Sequence, residues 1–202
     1  MSDSPPPPGP PLGPPLWEVL SSRTVLQDRW IHVTADAVRD SKGNVLDPFY
    51  SLSYPDWVHV VAVTPADELV LVRQYRHGAQ AWTLELPAGA VDKADADPTV
   101  AAARELREET GYSAPEFRLL HSLSPNTATH RNRAHTVLAL GATLTHPTAH
   151  EVGEDITVEL WPLARVLAQL GAGLLPQAMH TASLLLALNA AGRIDFTLKD
   201  AP

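Results

Sequence analysis

The sequence predicts an α/β fold whose N-terminal part is a run of strands with a hairpin, and three observations carry that expectation. Short apolar runs with the alternating character of strands recur from Trp17 to Leu86. The stretch Pro98 to Thr110 carries helix signals at both ends. Two more helical stretches, Leu163 to Leu170 and Gln177 to Ala190, close the chain, with Gly171 and Gly192 as stops.

Taken in order, residues 1–16 are rich in proline and glycine and build no core, which predicts a disordered or polyproline-like tail, inert or a docking ligand. Trp17 to Val38 reads as strands. The turn signal Asp40-Ser41-Lys42-Gly43-Asn44 returns Val45 to Tyr54 as a hairpin partner. Val58 to Val63 and Leu69 to Val72, either side of Pro65-Ala66-Asp67, are apolar enough to be central strands. Gln74-Tyr75-Arg76 leads through a short loop to a strand at Trp82 to Leu86. After the helix, Phe117 to Leu123 and Ala134 to Leu140 are strands around a polar loop, Ser124 to Arg133. A last strand, Ile156 to Trp161, ends at Pro162.

The helix at Pro98 to Thr110 holds the chemistry. Asp97 suits the N-cap, Pro98 the first helical position and Gly111 the stop. Glu105, Glu108 and Glu109 are three and four residues apart, so their carboxylates leave adjacent turns of one face. Val100, Ala103, Leu106 and Ala102 offer a buried side. Three acids near a helix C-terminus repel one another and oppose the helix dipole, so a cation should compensate. Arg104 and Arg107 offer one answer, a solvated and salt-bridged helix. A hard divalent cation bound through oxygen is the other.

Composition narrows the class. Hydrophobic content of 45%, charged content of 19% and 202 residues suit a globular domain with extensions. A formal charge of -8 argues against a general nucleic-acid or anionic-membrane binder. No cysteine occurs, so disulfides and thiolate-bound zinc are excluded; the nine histidines match no zinc-ligand spacing. The chain has neither a signal-peptide pattern nor an apolar run long enough for a membrane span, which predicts a cytoplasmic protein.

Leu84-Glu85-Leu86-Pro87-Ala88-Gly89, the helix, and Arg104-Glu105-Leu106-Arg107-Glu108-Glu109-Thr110-Gly111-Tyr112 resemble the box of the Nudix hydrolases, G-x5-E-x7-R-E-U-x-E-E-x-G-U. The last nine residues fit without exception. The first half departs: fourteen residues separate Gly89 from Arg104 where the pattern has thirteen, and Ala96 stands where the family has glutamate. Asp95 or Asp97 could replace that acid through a one-residue bulge, although Asp97 is wanted as the N-cap. Val72-Arg73-Gln74-Tyr75-Arg76 before the box is similar to the branch acting on ADP-ribose and nucleotide sugars. The loop from Pro125 to His135 is similar to a P-N-P-A-x-x-N-N-R-x-H variant of that branch, with Asn132, Arg133 and His135 in register.

The resemblance implies a Nudix α/β/α sandwich with a mixed sheet over residues 58–192, a β extension at 17–57 for dimerisation and base binding, and a tail at 193–202. It implies hydrolysis of a nucleoside diphosphate-linked small molecule to a nucleoside monophosphate and a phosphorylated product. Mg²⁺, or Mn²⁺, is expected on Glu105, Glu108, Glu109 and the carbonyl of Ala88, with Gly89 shaping the loop. Glu154, then Glu151, then the box glutamate Glu108, are the candidates to take the proton of water, and Arg104 supports the box. Arg76 is the expected diphosphate clamp and Glu85 a ribose contact. Trp30, Tyr54 and Trp57 are candidates to stack on the base, or else core and interface residues. Arg133, with His130 and Arg131, is a phosphate or ribose contact, or part of an exposed polar loop. A homodimer is expected, without nucleic acid or membrane as partner. Two other readings stay open, a non-catalytic nucleotide binder and a hydrolase of dinucleoside polyphosphates or coenzyme A.

Overall fold

The computed structural model describes residues 17–150 and 153–197. The predicted proline-rich tail, Glu151 and residues 198–202 lie outside the described residues. Chain contacts divide the protein into two compact units, one running up to Asp56 together with Leu123–Arg133, the other made of Trp57–Ser122 and the chain from Ala134 on.

The first unit is an antiparallel sheet of β1 (Glu18–Gln27), β2 (His32–Arg39) and β3 (Val45–Ser53), in that order. Both turns are built by aspartates that satisfy their own backbone. Asp28 accepts from the amides of Trp30 and Ile31, and Asp40 from those of Lys42 and Asn44. Gly43, at φ 88°, supplies the left-handed residue of the second turn. The segment after Leu123 adds to the edge of β3: the Leu52 amide donates to Thr129 at 2.8 Å and the Arg131 amide donates to Leu52 at 2.9 Å. Beneath it the buried Asp36 accepts from Ser22, Ser51 and the Arg131 guanidinium.

The second unit is a sandwich. Its strands are β4 (Trp57–Val63), β5 (Glu68–Arg76), β6 (Ala81–Glu85), β7 (Ala88–Ala90), β8 (Tyr112–Ser113), β9 (Arg118–Leu123), β10 (Ala134–Leu140), β11 (Thr143–Leu144) and β12 (Ile156–Pro162). Its helices are α1 (Pro98–Thr110), α2 (Leu163–Leu170) and α3 (Ala178–Ala190). The main sheet runs β12-β5-β4-β10-β9, with β6 added to β5 and β7 to β4; β8 and β11 form a separate pair. It is mixed, because β4 and β10 are parallel while β5 meets β6 and β12 antiparallel.

Alternation along the central strands separates two cores. Val61, Val63, Leu69 and Leu71 pack with Val166 of α2 and Leu184 and Leu188 of α3. Val58, Val60, Ala62 and Val70 face the other way, with Ala101, Ala102 and Leu106 of α1. The expected mixed-sheet sandwich with an antiparallel extension is therefore the observed fold.

Two local expectations need correction. Val100 is exposed, and the buried side of α1 is Ala101, Ala102, Glu105, Leu106, Glu109 and Thr110. The helix is rotated so that its acids, not its small residues alone, turn inward. Helix α2 ends before Gly171 as expected, and the left-handed glycines beyond the last two helices are Gly173 and Gly192. The Ala88-Gly89-Ala90 segment, expected as loop, forms β7 by pairing with Trp57 to His59. No helix among the described residues is long and apolar enough to cross a membrane.

Candidate active site

The helix α1 is set by its ends. The Asp97 carboxylate accepts from the amides of Thr99 at 2.7 Å and Val100 at 3.3 Å, and Gly111, at φ 75°, donates its amide to Arg107. A buried apolar face then fixes the rotation of the helix, and two box carboxylates are carried inward with it. Glu105 is 8% exposed and Glu109 3%, while Glu108 stands at the rim.

Opposite them lies β7. The Glu109 carboxylate accepts from the Ala88 amide at 3.0 Å. Gly89 meets Glu105 so closely that a Cβ there would fall on its carboxyl group. Glycine is required at this point by space. Burial drives both carboxyls up: Glu105 to about 7, against the pull of Arg104, and Glu109 well above the ordinary carboxylate range, where its Ala88 hydrogen bond does not offset desolvation. The charges of Glu105 and Glu154 add to the effect on Glu109.

Arg104 holds the rim together. Its guanidinium donates to Glu105 at 2.7 Å, to Glu108 at 3.2 Å, to the Ala90 carbonyl at 2.9 Å and to Asp95 at 3.0 Å. The acid absent at position 96 is therefore restored one residue earlier, by Asp95, while Asp97 is spent on the cap. Asp95 is held below its ordinary pKa chiefly by its bond from Arg104.

A second cation stands nearby. Arg76, at the end of β5, makes a two-pronged ion pair with Glu85 of β6 at 2.9 and 2.6 Å. Glu85 is buried and also meets Thr83 at 2.6 Å and His180 at 3.3 Å. Burial pushes Glu85 up, but the bonds from Arg76, His180 and Thr83 outweigh it and hold it well below its ordinary range. Glu85 was expected at ribose; the structure engages it with three side chains of this protein, Arg76, Thr83 and His180. Arg76 is bound more firmly to its proton, first by Glu85 and, after burial opposes it, by the charges of Glu85, Glu109 and Glu154. Glu154 lies just before β12, whose Ile156 pairs with Gln74, and its charge acts on Glu105, Glu109 and Arg76.

One constellation in the second unit thus brings together Ala88, Arg76, Glu85, Arg104, Glu105, Glu108, Glu109 and Glu154. Trp57, half-buried at the start of β4, belongs to the same unit. Three other expected ligand contacts belong to the first unit. Trp30 is exposed in the Asp28 turn, Tyr54 stands 5.2 Å from the His130 ring, and the Arg133 amide donates to Asp56. Sequence reasoning overlooked Thr83 and His180. The available signal was polar residues placed among apolar ones, on a strand and on a leucine-rich helix.

The donors suit a hard divalent cation. They are carboxylate oxygens, two of the carboxyls are buried with their charge disfavoured, and Arg104 already bridges Glu105 to Glu108. Among the described residues no three His, Asp or Glu side chains stand close enough to form a ready-made metal cage. The pair Glu105 and Glu109 with the Ala88 segment is the part of the site that fits such an ion.

Comparison with known proteins agrees with this geometry. Residues 54–178 match the model of the NUDIX domain, and residues 17–52 match that of the nucleoside diphosphate sugar hydrolase N-terminal domain. The chain is 30% identical to the ADP-ribose pyrophosphatase of Mycobacterium tuberculosis, over 84% of this chain and 82% of that protein. It is 27% identical to the ADP compounds hydrolase NudE of Escherichia coli, over 74% of this chain and 79% of that protein. A crystal structure of an ADP compounds hydrolase superposes with a TM-score of 0.76 at 25% identity, covering 88% of this chain and 97% of the other. With its box intact at Glu105, Glu108 and Glu109, this chain belongs to the Nudix hydrolase family.

Proposed function

We propose that this protein hydrolyses the diphosphate bond of ADP-ribose or a related nucleoside diphosphate sugar, giving a nucleoside monophosphate and a sugar phosphate. The observation that carries the reading is the buried pair Glu105 and Glu109 facing β7, with the Arg76 guanidinium near enough to feel the charge of Glu109. The relatives named for ADP-ribose and ADP compounds support the substrate class, as does the match of residues 17–52 to an N-terminal domain of nucleoside diphosphate sugar hydrolases.

Members of the family generally use divalent metal ions. Here Glu105, Glu108, Glu109 and the Ala88 carbonyl would hold Mg²⁺ or Mn²⁺, which neutralises phosphate charge and acidifies water. The remaining work falls to the chain. Arg76, held in orientation by Glu85, offers its outer N–H groups to the diphosphate. Arg104, locked by Asp95 and Ala90, keeps Glu105 and Glu108 in place. Water adds to a phosphorus, the bridging P–O bond breaks, and a carboxylate takes the water's proton. Glu154 is the first candidate for that carboxylate, because its charge already acts on both buried acids. Glu151 and Glu108 are the alternatives.

The extension, residues 17–57, would serve dimerisation and base binding. Val19, Val25, Leu26, Val45 and Tyr50 expose apolar surface on its sheet, which suits a second copy. Light scattering tests that reading, and a monomer at micromolar concentration would end it.

The test of the activity is phosphate release after phosphatase treatment, from ADP-ribose, nucleotide sugars, diadenosine polyphosphates and coenzyme A, with Mg²⁺ or Mn²⁺. Glu109→Gln is the control. Turnover of ADP-ribose or a nucleotide sugar, lost in the variant, is the expected outcome. Preference for a polyphosphate or coenzyme A would redirect the substrate, and silence with nucleotide binding intact would leave a binding protein.

A further inference from the structure

The Nudix match ends at residue 178, and two residues later α3 sends an imidazole into the second unit. His180 is 1% exposed, and both of its ring nitrogens have partners. Its Nδ1 accepts from the Leu86 amide at 3.0 Å. A nitrogen that accepts carries no proton, so the proton of the neutral ring sits on Nε2. That atom is 3.3 Å from Glu85 Oε2. Glu85 in turn fixes Arg76 through both of its oxygens.

Resting on the function proposed above, we infer that His180 is a positioning residue of this site, one imidazole that sets both the Arg76 clamp and the segment leading to Ala88. The two tasks divide between its two nitrogens. Nε2 completes the coordination of Glu85, so the plane of the carboxylate, and with it the guanidinium of Arg76, has one orientation. Nδ1 ties down Leu86, two residues ahead of the Ala88 amide that holds Glu109. Pro87 between them accepts from Val60 at 2.8 Å, so the connector between β6 and β7 is held from both sides. His59 packs edge-on against the ring, 4.5 Å between centroids, which restricts its rotation. Partners of this kind, one step behind the groups that touch ligand, typically alter affinity or activity by about 10–100-fold when removed.

Two substitutions separate the tasks. Asn places its amide oxygen near the position of Nδ1, so His180→Asn keeps the Leu86 bond and drops the one to Glu85. Gln reaches the position of Nε2, so His180→Gln keeps Glu85 and drops Leu86. His180→Asn is expected to raise KM about tenfold, with Mn²⁺ affinity, read by electron paramagnetic resonance without substrate, unchanged. His180→Gln is expected to weaken Mn²⁺ about tenfold and lower kcat with little change in KM. A loss of thermal stability with kinetic constants and Mn²⁺ affinity retained would overturn the inference, and so would equal losses in both variants. Should either variant fail to fold, ¹⁵N spectra of the wild-type imidazoles decide: a proton on Nε2 of His180 supports the assignment, one on Nδ1 refutes it. If the wild type turns over no nucleotide sugar, the proposed function falls, while the Mn²⁺ and tautomer measurements still judge His180.

Discussion

Asp95 and Arg104 form a salt bridge of 3.0 Å in which the acid is almost fully enclosed, its side chain only 6% exposed. The same guanidinium reaches Glu105, Glu108 and the Ala90 carbonyl, so Asp95 orients the group that orients two box glutamates. Asp97, two residues on, has a different task as the N-cap of α1.

Substitution of these two aspartates should therefore separate catalysis from stability. Asp95→Asn is expected to cut kcat/KM by roughly tenfold or more, because Arg104 loses its charged anchor. Asp97→Ala should cost about 1 kcal/mol of stability and leave kcat/KM within about twofold. Steady-state kinetics and denaturant unfolding on both proteins check this. Equal kinetic effects would show that Arg104 does not depend on Asp95.

Gly89→Ala should displace Glu105 without unfolding the chain, since the new methyl collides with the end of a side chain and not with backbone. Weakened Mn²⁺ binding and a kcat lowered about tenfold or more are expected, with circular dichroism retained. Gly111→Ala should behave oppositely. There a left-handed φ of 75° and a clash with the His146 carbonyl make the cost one of folding, about 1 kcal/mol or more, seen in the melting temperature.

Burial of Glu105 makes the metal-free protein sensitive to base. A carboxyl raised from 4.5 to about 7 binds its proton more tightly folded than unfolded. Its contribution to stability is whole below pH 4.5 and is lost as pH rises through about 7. Glu105→Gln should accordingly stabilise the metal-free protein at pH 8 by an amount on the order of 3 kcal/mol relative to pH 4.5. Mn²⁺ should raise the wild-type melting temperature more at pH 8 than at pH 5, and that difference should shrink in the variant. Thermal melts across pH, with and without the ion, provide the measurement.

His59 acts in the opposite sense. It is buried, and that burial lowers it from 6.5 to about 3. The unfolded chain therefore takes up the proton first, so stability from His59 is whole above pH 6.5 and is lost as pH falls toward 3. Acid unfolding of wild type should take up about one more proton in that window than His59→Gln, a slope near 1.4 kcal/mol per pH unit. Potentiometric titration against the unfolding curve tests it; identical proton uptake would remove His59 from the acid limb.

Arg76→Lys keeps the charge but loses the fork that binds Glu85 with two nitrogens. KM for a diphosphate substrate should rise about tenfold, with a smaller effect on kcat. An unchanged KM would take the clamp away from Arg76.

Local patterns were enough to read the longer strands, the caps of α1 and the three box glutamates, because alternation, helical spacing and capping depend on near neighbours; the short strand β7 needed its partner β4. From order alone the chain determined which residue types the site contains and that Glu105, Glu108 and Glu109 share a helix face. The tertiary structure decided what that face does. It buries Glu105 and Glu109 against β7, chooses Asp95 over Asp97 for Arg104, joins Arg76 to Glu85, and brings in His180. Those outcomes rest on packing between elements, and the Leu86 to His180 bond spans 94 residues of chain. Helical spacing can place a carboxylate on a face, but only the packed sheet sets the desolvation and the partners that give it its chemistry.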